Sequence, residues 1–299
     1  MLTEQNNNKI HLLDSIVIDN IAAGEVIERP ASIVKELLEN SIDAGASYIQ
    51  VDVENGGIKA ISVSDNGEGM GEKDLMLCWK RHATSKLRTH EDLETINSFG
   101  FRGEALSSIV SIAKVTITSR RAIDDYGIRI LLQAGELIEK TVIGAPVGTT
   151  IAIENIFFNT PVRLKFMRSS ATELSHIAES CRRVILGSNS CGLLLNSKNR
   201  TIIDMPPEIS VQERVEIVLG KRAAKLYPFE QLFNNVTVRG FATKPDENRY
   251  DTRGVWCFVN GRYIRDKTIQ RAIMNGYNTA IERGRYPVIV IFIELPQSI

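Results

Sequence analysis

The sequence predicts an α+β protein, with helices laid over one mostly antiparallel sheet as an α/β sandwich and a smaller α/β domain after it. Three observations carry this. Amphipathic helices alternate with period-two strands, an order that packs helices onto a sheet face. A length of 299 residues favours two domains over one. Finally, Pro206-Pro207 interrupts the chain where the charge balance reverses: residues 1–210 carry 22 Lys/Arg against 27 Asp/Glu, and residues 211–299 carry 14 against 9. The neutral total therefore hides −5 followed by +5, and the domains are read as 1–207 and 208–299.

Pro30 opens the first helix, with Ile33, Val34, Leu37, Leu38, Ser41 and Ile42 on one arc and Gly45 as its stop. Ile49, Val51 and Val53 alternate with polar residues, Gly56-Gly57 turns the chain, and Ile61, Val63 and Asp65 continue on a second strand. Leu75, Cys78, Trp79 and His82 repeat at helical spacing, as do Ala105, Leu106, Ile109 and Val110. Strands are expected over 115–119, 128–132 and 150–156. Ser170 with Glu173 reads as a capping box before a helix that ends at Gly187, and Ser210 with Glu213 as a second one. Beyond it come strands over 236–242 and 255–259, an Asn260-Gly261 turn, and a helix with Ile269, Ala272, Ile273, Tyr277 and Ile281 on one face. The run 288–293 is apolar on both parities and should lie inside a sheet.

Composition excludes several classes. With 43% hydrophobic and 24% charged residues the chain is neither disordered nor fibrous. Its longest apolar run, 288–293, is far below the roughly 20 residues that span a bilayer. The polar, Asn-rich start is unlike a secretory signal, which leads to the expectation of a cytoplasmic protein with no membrane partner. Cys78, Cys181, Cys191 and Cys257 form no C-x-x-C pair and read as buried free thiols.

Glu36 and Asn40 stand four apart on the first helix, at the edge of its apolar arc. Alone, such a pair reads first as an ordinary solvated contact. Further on, Asp65 ends a strand on its inward parity and starts the segment DNGEGMG, whose glycines let the chain bend around a flat ligand. An inward carboxylate there suits an exocyclic amine such as adenine N6, the competing reading being a glycine-rich surface turn. In SFGFRGE, residues 98–104, two glycines open a helix whose N-terminus favours phosphate. The usual G-x-x-x-x-G-K-[ST] phosphate loop does not occur. His82-Ala83-Thr84-Ser85-Lys86 is a small polar segment suited to a lid, and Gly148-Thr149-Thr150 could close the base side.

With these segments in place, the chain resembles the N-terminal region of a MutL-type DNA mismatch repair protein of the GHKL ATPase superfamily. The likeness rests on IAAGEVIERPASIVKELLENSIDAGA (21–46), SDNGEGM, RHATSKL, SFGFRGEALSSI and FFNTPVRLKF (157–166), and extends over nearly the whole chain. Gyrase B subunits, heat-shock chaperones and histidine kinases share E-x-x-x-N and D-x-G-x-G, but not the AAGEV lead-in or GFRGEAL. The resemblance implies a Bergerat-type sandwich and a second domain like the ribosomal-protein-like one of GHKL proteins. It implies ATP and Mg²⁺, with Glu36 as general base toward the attacking water and Asn40 as metal ligand. Asp65 would read adenine, with Thr149 near the base. Gly67, Gly69, Met70, Gly100, Phe101 and Gly103 would line the nucleotide, Arg102 would face either the phosphates or its own domain, and Thr84, Ser85 and Lys86 would belong to the lid.

In this family an NVHPAK segment after the last strand of the second domain brings a lysine to the γ-phosphate. Here the sequence stops at FIELPQSI, so the expectation is a truncated chain, with turnover damaged more than binding. The leading expectation is a bacterial ATP-dependent switch that hydrolyses slowly, pairs two copies when ATP binds, and engages DNA and a MutS-type mismatch-recognition partner. The alternative is a nucleotide- and DNA-binding module without effective hydrolysis. For DNA the candidate surface is Arg262, Arg265, Lys267 and Arg271, a solvated helix start being the competing reading. Arg163, Lys165 and Arg168 form a weaker basic cluster.

Overall fold

The computed structural model describes residues 24, 26–86, 103–188, 190–220 and 225–296. The first part runs α1 (Pro30–Asp43), β1 (Tyr48–Glu54), β2 (Ala60–Asp65), α2 (Glu72–Leu77), α3 (Ala105–Ile112), β3 (Lys114–Arg120), β4 (Gly127–Gln133), β5 (Glu136–Ile143) and β6 (Gly148–Glu154). It continues with α4 (Pro161–Phe166), α5 (Ser170–Gly187), β7 (Gly192–Ser197) and β8 (Arg200–Met205). These strands make one eight-stranded sheet in the order β5-β4-β3-β6-β2-β1-β7-β8. Every pairing is antiparallel except that of β1 with β7.

Period-two burial decides where the core sits. Ile49, Val51 and Val53 of β1, Ile61 and Val63 of β2, and Val115 and Ile117 of β3 are all buried on one face. Against them lie Ile33, Val34, Leu37 and Leu38 of α1, Ile109, Val110 and Ile112 of α3, and Ile177, Cys181 and Ile185 of α5. Each fully buried Ile or Leu removes apolar surface worth about 1.5–3 kcal/mol. The sandwich read from the sequence is therefore the observed architecture.

The remaining chain runs α6 (Val211–Leu219), β9 (Leu226–Phe233), β10 (Val236–Thr243), β11 (Asn248–Arg249), β12 (Val255–Val259), β13 (Arg262–Ile264), α7 (Lys267–Tyr277), β14 (Tyr286–Pro287) and β15 (Ile289–Glu294). Its five-stranded sheet has the order β13-β12-β15-β10-β9, with β11 and β14 paired apart from it. β15, apolar from Ile289 to Ile293, occupies the middle of that sheet, as its composition requires. A second core joins Val215 and Leu219 of α6 to Trp256, Phe258, Val290 and Phe292, with Phe258 stacked on Phe292 at 5.1 Å between centroids. Leu186, from the end of α5, packs into the same cluster. A Cβ at Gly187 would lie 1.9 Å from the Gly261 carbonyl oxygen, so glycine is what lets α5 approach the β12–β13 turn.

Several local expectations are corrected. The helix over 75–82 stops at Leu77, and His82 has φ +60, a left-handed conformation that breaks helical period. The cap of α5 is Ser169, whose side chain accepts from Thr172 N, while Glu173 Oε1 accepts from Arg168 N. At α6 both halves of the capping box are present between Ser210 and Glu213. Ile281 lies beyond α7, after a short 3₁₀ turn at Asn278–Ala280. Among the described residues no helix is long and apolar enough to cross a membrane. Cys181, Cys191 and Cys257 are buried and Cys78 half-buried, and none is in a disulfide. Burial pushes the Cys78 and Cys181 thiols up to about 12, which leaves no reactive thiolate there.

Candidate functional site

α1 builds one wall. Pro30 fixes its first turn, and the arc that buries Leu37 and Leu38 leaves Glu36, Asn40 and Asp43 together at its border, one turn apart along the helix. The Glu36 side chain keeps 30% of its surface exposed, with Lys35 Nζ 3.2 Å from its Oε1. Lys35 also reaches Glu39 Oε2 at 2.9 Å. Glu39 is more enclosed, and burial raises its carboxyl above the ordinary range.

The end of β2 builds the floor. Asp65 pairs with Thr149 across the β2–β6 ladder and follows the inward parity of Ile61 and Val63. Its Oδ1 accepts from Gly67 N at 3.0 Å and Thr149 N at 3.2 Å, and its Oδ2 accepts from the Ser41 hydroxyl at 2.8 Å. Burial nevertheless prevails over these three donors and lifts the carboxyl above its usual value. Thr149 is held in turn by Ser119, whose hydroxyl lies 2.8 Å from Thr149 Oγ1 and accepts from Met70 N at 2.8 Å. Asp65, Thr149, Ser41, Ser119 and Met70 are thus one hydrogen-bonded group.

Three glycines close this floor. Gly69 has φ +68, and a Cβ there would stand 2.2 Å from the Arg120 carbonyl oxygen. Gly148, at φ +115, would place a Cβ 2.0 Å from the Asp65 carbonyl oxygen. At Gly67 a Cβ would meet Ala44 O at 2.7 Å. These glycines thus have a reason in the fold itself, since the chain crosses its own backbone here.

The opposite rim is formed by residues 81–86 and the approach to α3. Gly103, at φ +61, lies so near the Ala83 carbonyl that a Cβ would come within 2.6 Å of it. Thr84 Oγ1 accepts from Lys86 N at 3.1 Å, and Thr84 and Ser85 are exposed. Lys86 crosses to α1, its Nζ donating to Asn40 Oδ1 at 3.0 Å. The expected Gly100, Phe101 and Arg102 lie outside the described residues.

The donor set fits a hard divalent cation carried by a phosphate ligand. Asn40 and Asp43 already hold a cation, the Lys86 ammonium, with oxygen atoms. Among the described residues no group of three His, Cys, Asp or Glu could hold a metal. A metal here would draw its other ligands from phosphates and water, the habit of Mg²⁺. Sequence reasoning missed three members of this site. Ser41 counts by period as part of the apolar arc, Ser119 carries no motif, and Asp43 is signalled only by its helical spacing from Glu36 and Asn40.

Of the four cations proposed for DNA, Arg265, Lys267 and Arg271 are exposed around the start of α7. Arg262 is half-buried on β13. Asp266 between them caps α7, accepting from Thr268 N at 2.8 Å and Ile269 N at 2.9 Å, so its charge is engaged with backbone. Arg265 Nε donates to the Tyr263 hydroxyl at 3.2 Å. In the weaker cluster Arg163 turns inward to the Ile27 carbonyl at 3.4 Å, leaving Lys165 and Arg168 exposed.

Comparison with known proteins adds the following. Residues 28–134 match the family of histidine kinase-, DNA gyrase B- and HSP90-like ATPases, and residues 215–299 match the DNA mismatch repair protein, C-terminal domain, family. DNA mismatch repair protein MutL of Syntrophotalea carbinolica is 44% identical over 294 residues, covering 98% of this chain and 47% of that protein. The MutL of Syntrophus aciditrophicus is 43% identical over 290 residues, covering 97% of this chain and 47% of that protein. The chain therefore spans about half the length of the curated relatives it matches. Among solved structures, the Aquifex aeolicus MutL ATPase domain complexed with ADP superposes with a TM-score of 0.69 at 28% identity, over 91% of this chain and 93% of that one. The N-terminal domain of a DNA repair protein, 22% identical with a TM-score of 0.78 over 94% of this chain, shows the fold alone.

Proposed function

This chain belongs to the MutL family of DNA mismatch repair proteins, in the N-terminal ATPase region that places it in the GHKL superfamily, and on that premise we propose that it binds ATP with Mg²⁺ and hydrolyses it slowly as a switch for DNA repair. The observation that carries the reading is the junction of two walls. The α1 residue Ser41, next in sequence to Asn40 and on the helix that carries Glu36, donates to Asp65, whose carboxylate is also fixed by Gly67 N and Thr149 N. In the family the domains would divide as 1–207 and 208–299.

Asp65 Oδ2 has a lone pair beyond the one that Ser41 uses, and directs it to an exocyclic amine, while Thr149 and Met70 hold the base edge. Glu36 orients the attacking water and takes its proton. Asn40 would offer an amide oxygen to Mg²⁺, whose charge would neutralise the phosphates. Thr84, Ser85 and Gly103 stand on the rim where phosphates would lie. Pairing of two copies, recruitment of a MutS-type partner and sequence-independent DNA contact through Arg265, Lys267 and Arg271 complete the proposal.

Because a general base acts in the transition state more than in the ground state, Glu36→Ala is expected to abolish turnover while keeping Mg·ATP affinity within a few-fold. Asn40→Ala is expected to lose the metal-dependent part of affinity. An ATP titration in which both variants are equally crippled in binding would refute this division of roles.

A further inference from the structure

The Lys86 ammonium lies on α1 rather than in solvent. Its Nζ donates to Asn40 Oδ1 at 3.0 Å and to the Asp43 carboxylate at 2.5 Å, a contact across 43 positions of sequence. Both partners of the ion pair are largely withdrawn from water, at 19% exposure for Lys86 and 10% for Asp43, so it is screened less than a surface pair. Lys86 therefore ties the end of the 81–86 segment to the helix that carries Glu36.

The Asn40 amide oxygen that accepts this ammonium is the atom assigned above to the divalent cation. An amide oxygen with a charged ammonium at 3.0 Å cannot also face a dication at about 2.1 Å without strong repulsion between the two positive charges. Asp43 decides which cation is held, because its carboxylate anchors Lys86 beside Asn40 and keeps it from swinging into solvent. We propose that Lys86 is an internal competitor of the divalent cation, latched over Asn40 by Asp43, so that metal-bearing nucleotide is admitted only as this pair opens. The inference rests on reading Asn40 as the metal ligand. It adds a restraint on that ligand: the chain's own lysine suppresses metal-dependent affinity until it is displaced, and apparent affinity falls by the fraction of molecules in which the pair is open.

The measurement is calorimetric titration of the full chain with ADP, once with Mg²⁺ and once with EDTA, and the quantity read is the dissociation constant in EDTA divided by that in Mg²⁺. Loss of a direct contact of Lys86 with phosphate weakens the EDTA titration, whereas release of the latch tightens the Mg²⁺ titration, so both constants are read and a ratio raised only by weaker binding in EDTA overturns the latch. If the closed pair leaves about one molecule in ten competent, Lys86→Met raises the ratio roughly tenfold. Asp43→Asn raises it as well, because Lys86 loses its anchor, and Lys86→Arg, which preserves the ion pair, leaves it unchanged. Circular dichroism establishes that each variant is folded; should Asp43→Asn fail to fold, the two Lys86 variants decide. An unchanged ratio in Lys86→Met overturns the latch, and so does a fall in Asp43→Asn without a rise in Lys86→Met, which would make Asp43 a metal donor instead. Failure of the unsubstituted chain to bind ADP in either buffer would instead sink the reading of the site as a nucleotide pocket, and the latch with it.

Discussion

At Asp65 the needs of binding and of stability oppose each other. Burial raises its carboxyl despite the Gly67 N–H, the Ser41 hydroxyl and the Thr149 N–H, so the folded protein holds the ionised form at a cost. With the folded value above the unfolded one, stability is fully present below the ordinary carboxylate range and is lost as pH rises through the raised value. Asparagine has the same shape, can still accept from Gly67 N and Thr149 N, and carries no charge. Asp65→Asn is therefore expected to melt at or above the temperature of the original protein at neutral pH, the difference vanishing toward about pH 3. The same change should weaken ATP by roughly 1–3 kcal/mol, since an acceptor meant for the adenine amine becomes a donor. Thermal melts across pH, with calorimetry using ATP and GTP, read both effects. A lower melting temperature with unchanged ATP affinity would contradict both, and equal ATP and GTP affinity in the original protein would remove Asp65 as base reader. The inward parity of Asp65 is legible in the alternation of Ile61 and Val63 and Thr149 in the Gly148-Thr149-Thr150 segment, but the bonds that join Asp65 to Thr149 and to Ser41 span 84 and 24 positions and have no local signal.

Among the elements, α6 contains both a legible and a hidden feature. Its start is written in the Ser210 and Glu213 box, which the structure contains in full. The next residue, Arg214, is fully buried and forms no ion pair with a carboxylate among the described residues, although a charged residue after a cap reads as solvent-facing. Its Nη1 donates to the carbonyls of Ile185 at 3.3 Å, Ser188 at 3.2 Å and Cys191 at 2.9 Å, and its Nη2 to Pro207 at 2.7 Å. The guanidinium thus gathers the end of α5, the start of β7 and the link into α6, and desolvation lowers its pKa. Arg214→Met keeps volume but orphans several buried carbonyls, each worth roughly 1–3 kcal/mol, so a loss of about 3 kcal/mol is expected in urea unfolding. A loss below about 0.5 kcal/mol, the range of neutral surface changes, would mean water replaces the guanidinium. Long-range pairing hid other elements too. β7 is defined by its parallel contact with β1 far upstream, and β5 and β9 are sheet edges whose exposed residues show no clean alternation.

For the whole molecule, the useful quantity is the distribution of charge rather than its zero sum. The +5 balance of residues 211–299 was visible in the sequence, but which cations remain available to a polyanion was set by packing. Arg214 is consumed in the interior and Arg239 pairs with Glu294, whereas Arg265, Lys267 and Arg271 stay exposed around the start of α7. DNA affinity carried by these three should come mainly from counterion release and be indifferent to sequence. If Lys267 neutralises one phosphate, Lys267→Glu should lower the magnitude of the slope of log affinity against log salt by about one unit and weaken all duplexes alike. ATP affinity should not change, because α7 packs on the five-stranded sheet while Asp65 and Glu36 belong to the eight-stranded one. Fluorescence anisotropy with duplex and single-stranded DNA at several salt concentrations, in the presence of a non-hydrolysable ATP analogue, supplies the slope. Arg265→Glu should behave in the same way, its guanidinium donating to the Tyr263 hydroxyl. If neither substitution moves the slope, the DNA surface lies elsewhere, and exposed Lys165 and Arg168 beside α4 become the residues to reverse next.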